Sequence, residues 1–356
     1  MTWTIDAPGD YDGAAAGEQV EIRITASGVT LRNPGVRNSP EAGIRLDGVT
    51  DVTILNPKVY DWNRSGIAQH GAAVAMWRCG SVSVSGFDFR KPIGPGNGIW
   101  GKADALNHLR GCTFKDGYIS GAYDGIGSEI EDNPLGGFKD TLIEGVTVED
   151  YQDDGIQTEG RNENVTVRRC VTRRGLIGYA MAPSIVGPLT IEDCEAHDFT
   201  SAAFKMGDGG GGYVAIKRFK GVGQGDGLKQ TNSGLGYAIE FTDSCLQVGR
   251  YVYEFTSPLP AGSLFDRNRL STTDATRFAK IANNNDYRTL AALQAIGMDL
   301  NSVAGPCEVV PVPPTPPPAK TCQARYRWRL AGETTWHYTT RTYQPIDCAQ
   351  DALTFI

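Results

Sequence analysis

The dipeptide Gly-Ile, or a close substitute, recurs along the middle of the chain, and no other feature constrains the fold as tightly. It stands at Gly43-Ile44, Gly66-Ile67, Gly98-Ile99, Gly125-Ile126, Gly155-Ile156, Gly178-Tyr179, Ala203-Phe204 and Gly227-Leu228, so successive copies lie 23, 32, 27, 30, 23, 25 and 24 residues apart. Most copies are followed by an alternating β-branched run, among them Val52-Thr53-Ile54, Val82-Ser83-Val84, Val165-Thr166-Val167 and Leu189-Thr190-Ile191. Two short strands per unit at this period predict stacked coils rather than helical hairpins. A single unit has too little apolar surface for a core of its own, so the coils must stack and share one.

Composition agrees with a turn-rich β protein. The chain has 44 Gly and a charged fraction of 21%, and its 40% hydrophobic content excludes general disorder. A formal charge of −7 with no clustered basic run argues against nucleic acid as a partner. No stretch approaches the roughly 20 apolar residues of a membrane span. The chain opens Met1-Thr2-Trp3 without the basic and apolar regions of a signal peptide. Export after leader removal, or release inside a virus particle, is the expectation, placing the protein outside the cell or on a virion.

The coil pattern occupies residues 20–262, behind an irregular lead-in at 1–19 that would cap the open N-terminal edge. Over 263–306 the period changes. Thr273-Asp274 can cap a helix carrying Phe278 and Ile281, and Asp286 a second carrying Leu290, Leu293 and Ile296, together plugging the C-terminal end. Residues 307–320 are a Pro-rich, semi-rigid spacer. Residues 321–356 alternate Tyr326, Trp328 and Leu330 with charged residues and read as a small β module. Cys112, Cys170 and Cys194 fall at matching places in their coils and are expected to pack inward as small apolar groups. Cys322 and Cys348 bracket the last module and could form a disulfide, whereas Cys307 has no obvious partner.

Strand side chains alternate, so the Gly-Ile register assigns directions. With Ile inward, the first outward column reads Arg45, Ala68, Trp100, Gly127, Gln157, Ala180, Lys205 and Lys229; the second reads Asp47, His70, Lys102, Glu129, Glu159, Ala182, Gly207 and Thr231. Neighbouring coils lie about 4.8 Å apart, which sets Glu129 beside Glu159. Asp124, Asp153 and Asp154 occupy the turns entering the same strands. Five carboxylates so close must share protons or hold a cation, and an all-oxygen set of this density suits Ca²⁺. Lys205 points outward two coils later, with Lys229 one coil on and Arg173 and Arg174 in the turn before Gly178. Cations flanking a carboxylate cluster suit an acidic polysaccharide, whose uronates they would pair. Trp100 and Lys102 head the same face, where Trp100 could stack on a sugar ring.

These residues resemble those of right-handed parallel β-helix proteins, the pectate-lyase superfold, over roughly residues 20–250. Locally, Asp124-Gly125-Ile126, Asp153-Asp154-Gly155 and Phe204-Lys205-Met206-Gly207 are similar to the motifs of family-nine polysaccharide lyases. The resemblance implies that Asp124, Asp153 and Asp154 bind Ca²⁺ and that Lys205 takes the C5 proton of a uronate in β-elimination. One departure stands out: the family places a further Asp two residues after the Asp-Asp-Gly glycine, and this chain has Gln157. Glu129 or Glu159 could substitute. Glycoside hydrolases and phage tailspike depolymerases share the superfold and would use a carboxylate pair drawn from Asp124, Glu129, Asp153, Asp154 and Glu159. A non-catalytic carbohydrate-binding or virion-structural protein is the third reading. A monomer is expected, or a trimer if the chain is virion-derived.

Overall fold

Short runs of alternating apolar and polar residues, broken every few positions by a residue that turns the chain, build each coil from three short strands. The computed structural model describes residues 1–66, 71–102, 109–129, 137–158, 162–181, 187–207, 212–231, 236–282, 284–307, 322–328 and 337–343. Corresponding strands of successive coils pair in parallel into three long sheets that hold 13, 12 and 11 strands among the described residues, the last strand of the first sheet being antiparallel. The first carries the Gly-Ile strands and the second the β-branched runs. The third collects three-residue strands such as Lys58–Tyr60, Asp88–Arg90 and Tyr118–Ser120. The fold is therefore an all-β parallel β-helix.

The inward column of the first sheet runs Ile22, Ile44, Val74, Ile99, Ile126, Ile156, Tyr179, Phe204, Leu228 and Tyr253 in direct register. All are buried in one continuous core. Gly66-Ile67 is not a rung of this column: the coil's strand is Ala72–Trp77, with Val74 in the Ile position and Ala75 and Trp77 in the outward places expected for Ala68 and His70. Residues 67–70 lie outside the described residues.

Corners between the second and third sheets take a single residue in the left-handed region. Asn33, Asn56, Asp116, Arg169, Asp193, Arg218, Asp243 and Arg267 all hold φ of 51–56° there. Asn and Asp tolerate this conformation readily. The arginines are held by the coil before, Arg218 by Asp193 at 2.6 Å and Arg267 by Asp243 at 2.7 Å. The residue after each corner points inward. Cys170 and Cys194 are successive members of that column, and Cys170 N–H donates to Cys194 Sγ at 3.4 Å. Cys79, Cys112, Cys170 and Cys194 are all buried thiols.

Glycine precedes the inward Ile for a packing reason. A Cβ on Gly125 would lie 2.2 Å from the Gly155 carbonyl oxygen and 2.6 Å from Val148 Cγ1. Gly125→Ala is therefore expected to cost about 1–3 kcal/mol, read as a lower denaturant midpoint at constant slope. A variant as stable as the parent would contradict this close approach of coils.

Both ends differ from expectation. Coiling starts at Thr2, not after residue 19: Thr2–Ile5 pairs with Glu21–Ile24, and Gly9–Asp12 with Val29–Arg32. At the other end the expected helix around Phe278 and Ile281 is the strand Ala279–Ile281, because pairing with Tyr253–Phe255 offers one more rung of core. Asn284–Tyr287 then turns back antiparallel and ends the parallel ladder. One short helix follows, Leu290–Gln294, capped by Thr289 rather than Asp286, with Leu290 and Leu293 buried and Ile296 exposed. Cys307 does have a partner. It forms a disulfide with Cys245, 62 residues earlier, tying the end of this unit to the third sheet.

The chain divides into Met1–Cys307 and Glu308–Ile356. In the second unit Cys322–Trp328 and His337–Tyr343 form an antiparallel hairpin; Cys348 lies outside the described residues. Among the described residues no helix is long and apolar enough to cross a membrane.

Candidate functional site

The Asp residues that enter the Gly-Ile strands form a ladder running from coil to coil. Asn97 Oδ1 accepts the Asp124 N–H at 3.1 Å, and Asp124 Oδ1 accepts the Asp154 N–H at 3.0 Å. Each side chain thereby caps the backbone of the next coil and fixes its own orientation. Asp124 is 4% exposed and Asp154 fully buried, while Asp153 reaches partly into solvent. One carboxylate oxygen from each of the three lies within 4.8 Å of the others.

Lys205 belongs to this cluster directly. Its Nζ donates to Asp154 Oδ2 at 2.7 Å, with the Lys side chain 15% exposed. The two residues are two coils apart, in strands Asp154–Gln157 and Ala202–Met206, with Ile177–Met181 between them. Ala180 is the register neighbour of Lys205 in that intervening strand, and its methyl group leaves room for the ammonium to reach back. Asp154 Oδ1 stays buried with no hydrogen-bond partner. Burial pushes the Asp154 carboxyl up to about 6; Lys205 opposes the shift and the neighbouring Asp153 adds to it. Tyr123, the residue before Asp124, stands at the rim, 38% exposed. Partial burial, then the charges of Asp153 and Asp124, push its phenol upward. The sequence signals for these two residues lie beside them: Asn97 precedes Gly98 in an Asn-Gly dipeptide, and Tyr123 precedes the Asp124-Gly125 turn.

The other candidates fall in different places. Lys229 is the register neighbour of Lys205 on the next coil, and Lys102 is half-buried on the same sheet. Trp100 is on the outer face but covered, 4% exposed among Ala42, Ala72 and Ala75, so it presents no open ring to a sugar. A side chain on Gly127 would meet Trp100 Cζ3 at 2.5 Å and Gln157 Oε1 at 3.0 Å. Gln157 Oε1 thus lies over the Gly127 backbone on the same outer face as Trp100. Arg173 and Arg174 are not in the strip with Lys205. They lie at the end of a third-sheet strand and are engaged by the coil before: Arg173 with Glu149 at 3.6 Å, Arg174 with Glu149 at 3.0 Å and Asp150 at 2.7 Å. The Glu129 backbone is in register with Lys102, while its side chain and the whole of Glu159 lie outside what is described.

This geometry restricts the chemistry. One carboxylate oxygen from each of Asp124, Asp153 and Asp154 lies within 4.8 Å of the others, closer than the roughly 6.5–9.5 Å of an inverting pair and nearer the roughly 5–5.5 Å of a retaining one. Two of the three are also covered. Lys205 reaches this cluster as a partly exposed ammonium paired with the buried Asp154 carboxylate.

Residues 20–219 match the family described as right-handed β-helix region. No curated protein matches the chain in sequence. Among solved structures, a double mutant of the periplasmic alginate epimerase AlgG is similar at 8% identity, over 80% of this chain and 76% of that one, with a TM-score of 0.29. Likeness at that level carries no weight for substrate or reaction.

Proposed function

The chain belongs to the right-handed β-helix family, and on that scaffold we propose that it cleaves a uronate-containing polysaccharide by β-elimination at Lys205. The observation carrying this reading is the Lys205–Asp154 pair at 2.7 Å beside Asp124 and Asp153, on the outer face of the Gly-Ile sheet. Lys205 Nζ takes the C5 proton; the electron pair of that C–H bond becomes the new double bond as the glycosidic C4–O bond breaks. The departing oxygen is protonated from solvent. Lys229 on the next coil pairs with a substrate carboxylate and holds the chain along the sheet.

Asp154 at this distance favours the ammonium form of Lys205, so proton abstraction requires the carboxylate charge to be engaged elsewhere. The donor set fits a hard cation: three clustered carboxylates, one with a buried oxygen that has no hydrogen-bond partner. Asp124, Asp153 and Asp154 would hold Ca²⁺. When bound, Ca²⁺ supplies positive charge that offsets the carboxylates and stabilises charge building on the uronate. Chelated protein is expected to bind Ca²⁺ with Kd on the order of 10⁻⁴–10⁻³ M, measured by titration calorimetry. No heat at millimolar Ca²⁺ would remove the metal and leave Lys205 as the cluster's cation.

The Cys245–Cys307 disulfide supports a location in an oxidising compartment outside the cytosol. A panel of uronate polysaccharides, with and without chelator, tests the reaction itself. Ultraviolet absorbance from an unsaturated product supports elimination. New reducing ends without unsaturation would transfer the assignment to hydrolysis, and binding without product would make the protein a carbohydrate-binding one.

A further inference from the structure

A second buried aspartate stands in the same column as Asp154, three coils further on, with its cations placed differently: Lys229 lies on the aspartate's own strand, whereas Lys205 reaches Asp154 from two coils away. Asp226 occupies the register position of Asp154, through Ile177 and Ala202, and Lys229 occupies that of Lys205. Asp226 is fully buried. Its Oδ1 accepts the Tyr251 N–H at 3.1 Å, and its Oδ2 makes no hydrogen bond. Around that oxygen stand Lys229 Nζ at 3.5 Å and Arg250 Nη1 at 3.4 Å. Glu254, next in the outward column, lies 3.8 Å from Lys229 and 3.7 Å from Lys280.

All four separations exceed the roughly 2.7–2.9 Å of a closed charge-assisted hydrogen bond. The corner pair Arg218–Asp193, by contrast, is closed at 2.6 Å. Among the described residues, Lys229, Arg250 and Lys280 are therefore held in place by charge without closed hydrogen bonds to these carboxylates, with side chains 25%, 40% and 23% exposed. Three cations against two carboxylates leave an excess of one positive charge. Asp226 is too deep to meet a ligand, so its part is to anchor the cations from behind.

We infer that Lys229, Arg250 and Lys280 form a binding subsite for an acidic sugar unit on the C-terminal side of Lys205. The inference rests on the proposed acidic polysaccharide substrate but not on the elimination chemistry. Coils rise about 4.8 Å each, so a chain laid along the helix axis from Lys205 passes these cations over the next three coils. The bound polymer would extend well beyond the bond it presents to Lys205, and its length sets the affinity.

Calorimetric binding of saturated oligouronates of increasing length at low salt tests this, with a neutral oligosaccharide of equal length as control. Arg250→Ala and Lys280→Ala are each expected to weaken binding of the longer oligomers roughly tenfold and to reduce its salt sensitivity. The shortest oligomers should bind unchanged, and Lys280→Arg should keep wild-type affinity. Thermal unfolding checks that each variant is folded; an Arg250→Ala protein that is not is replaced by Arg250→Lys, for which reduced affinity is expected because the planar fork is lost. Folded variants that bind long oligomers as the parent does, or a parent that binds no oligouronate, would overturn the subsite. Cation-dependent binding without unsaturated product would leave the subsite standing and remove elimination. Product formed by the variants at unchanged KM would do the reverse.

Discussion

Lys205→Ala is expected to lower formation of unsaturated product about 10²–10⁴-fold, the usual contribution of a general base. Alanine does more than delete the amine. It also strips a buried carboxylate of its partner, since Asp154 Oδ2 is bonded to Lys205 at 2.7 Å and Asp154 has no exposure. The thermal transition should therefore drop as well, and more at pH 8 than at pH 5, where the carboxyl can take up a proton instead. Lys205→Arg separates the two effects. A guanidinium can keep the ion pair with Asp154 and the stability that goes with it, yet it does not release its proton at any pH at which the protein folds. Retained stability with lost turnover is the expected pattern on any uronate substrate that the parent cleaves. Turnover by Lys205→Arg at the parental rate would end the assignment of Lys205 as base.

The fold was legible because the coil repeat is written in small residues. Gly125 cannot carry a Cβ where the Gly155 carbonyl passes, so the same packing demand repeats the dipeptide. Where a coil meets that demand with Ala73-Val74, the dipeptide disappears, and the nearby Gly66-Ile67 imitates it in sequence alone. The ends were less legible for a related reason. Phe278 and Ile281 have helical spacing, but a rung beside Tyr253–Phe255 buries the same side chains and satisfies the backbone too; tertiary pairing overrode local pattern. The Asp124, Asp153 and Asp154 cluster followed from two Asp-Gly turns in adjacent coils. The direct Lys205–Asp154 contact did not, because it depends on Ala180 being small enough for a long side chain to cross it. Alternation also showed that Trp100 faces away from the core, but alternation says nothing of what covers that face. Arg173 and Arg174 are near Gly178 in sequence, yet the chain turns a corner between them, and Glu149 and Asp150 of the coil before take up their charge.

Ionising Asp154 should cost the folded protein stability, a property that can be measured without knowing the substrate. Its carboxyl is pushed by burial from an ordinary value of 3.8 up to about 6 in the folded state. At pH below the ordinary value both folded and unfolded chains carry the proton, and the neutral group's advantage is complete. Between that pH and about 6 the unfolded chain loses its proton while the folded one keeps it, so stability falls with rising pH. Above about 6 both have released it and the fall ends. A shift of this size corresponds to about 3 kcal/mol. Denaturant unfolding from about pH 4 to pH 8 should therefore show the parent losing that much relative to Asp154→Asn, whose amide does not titrate. Parallel curves for parent and variant would mean that Asp154 titrates normally and that its burial is relieved in solution. Saturating Ca²⁺ sharpens the experiment: a cation held by Asp124, Asp153 and Asp154 stabilises the ionised form, pulls the carboxyl back down, and should flatten the parent's fall while leaving Asp154→Asn nearly unmoved.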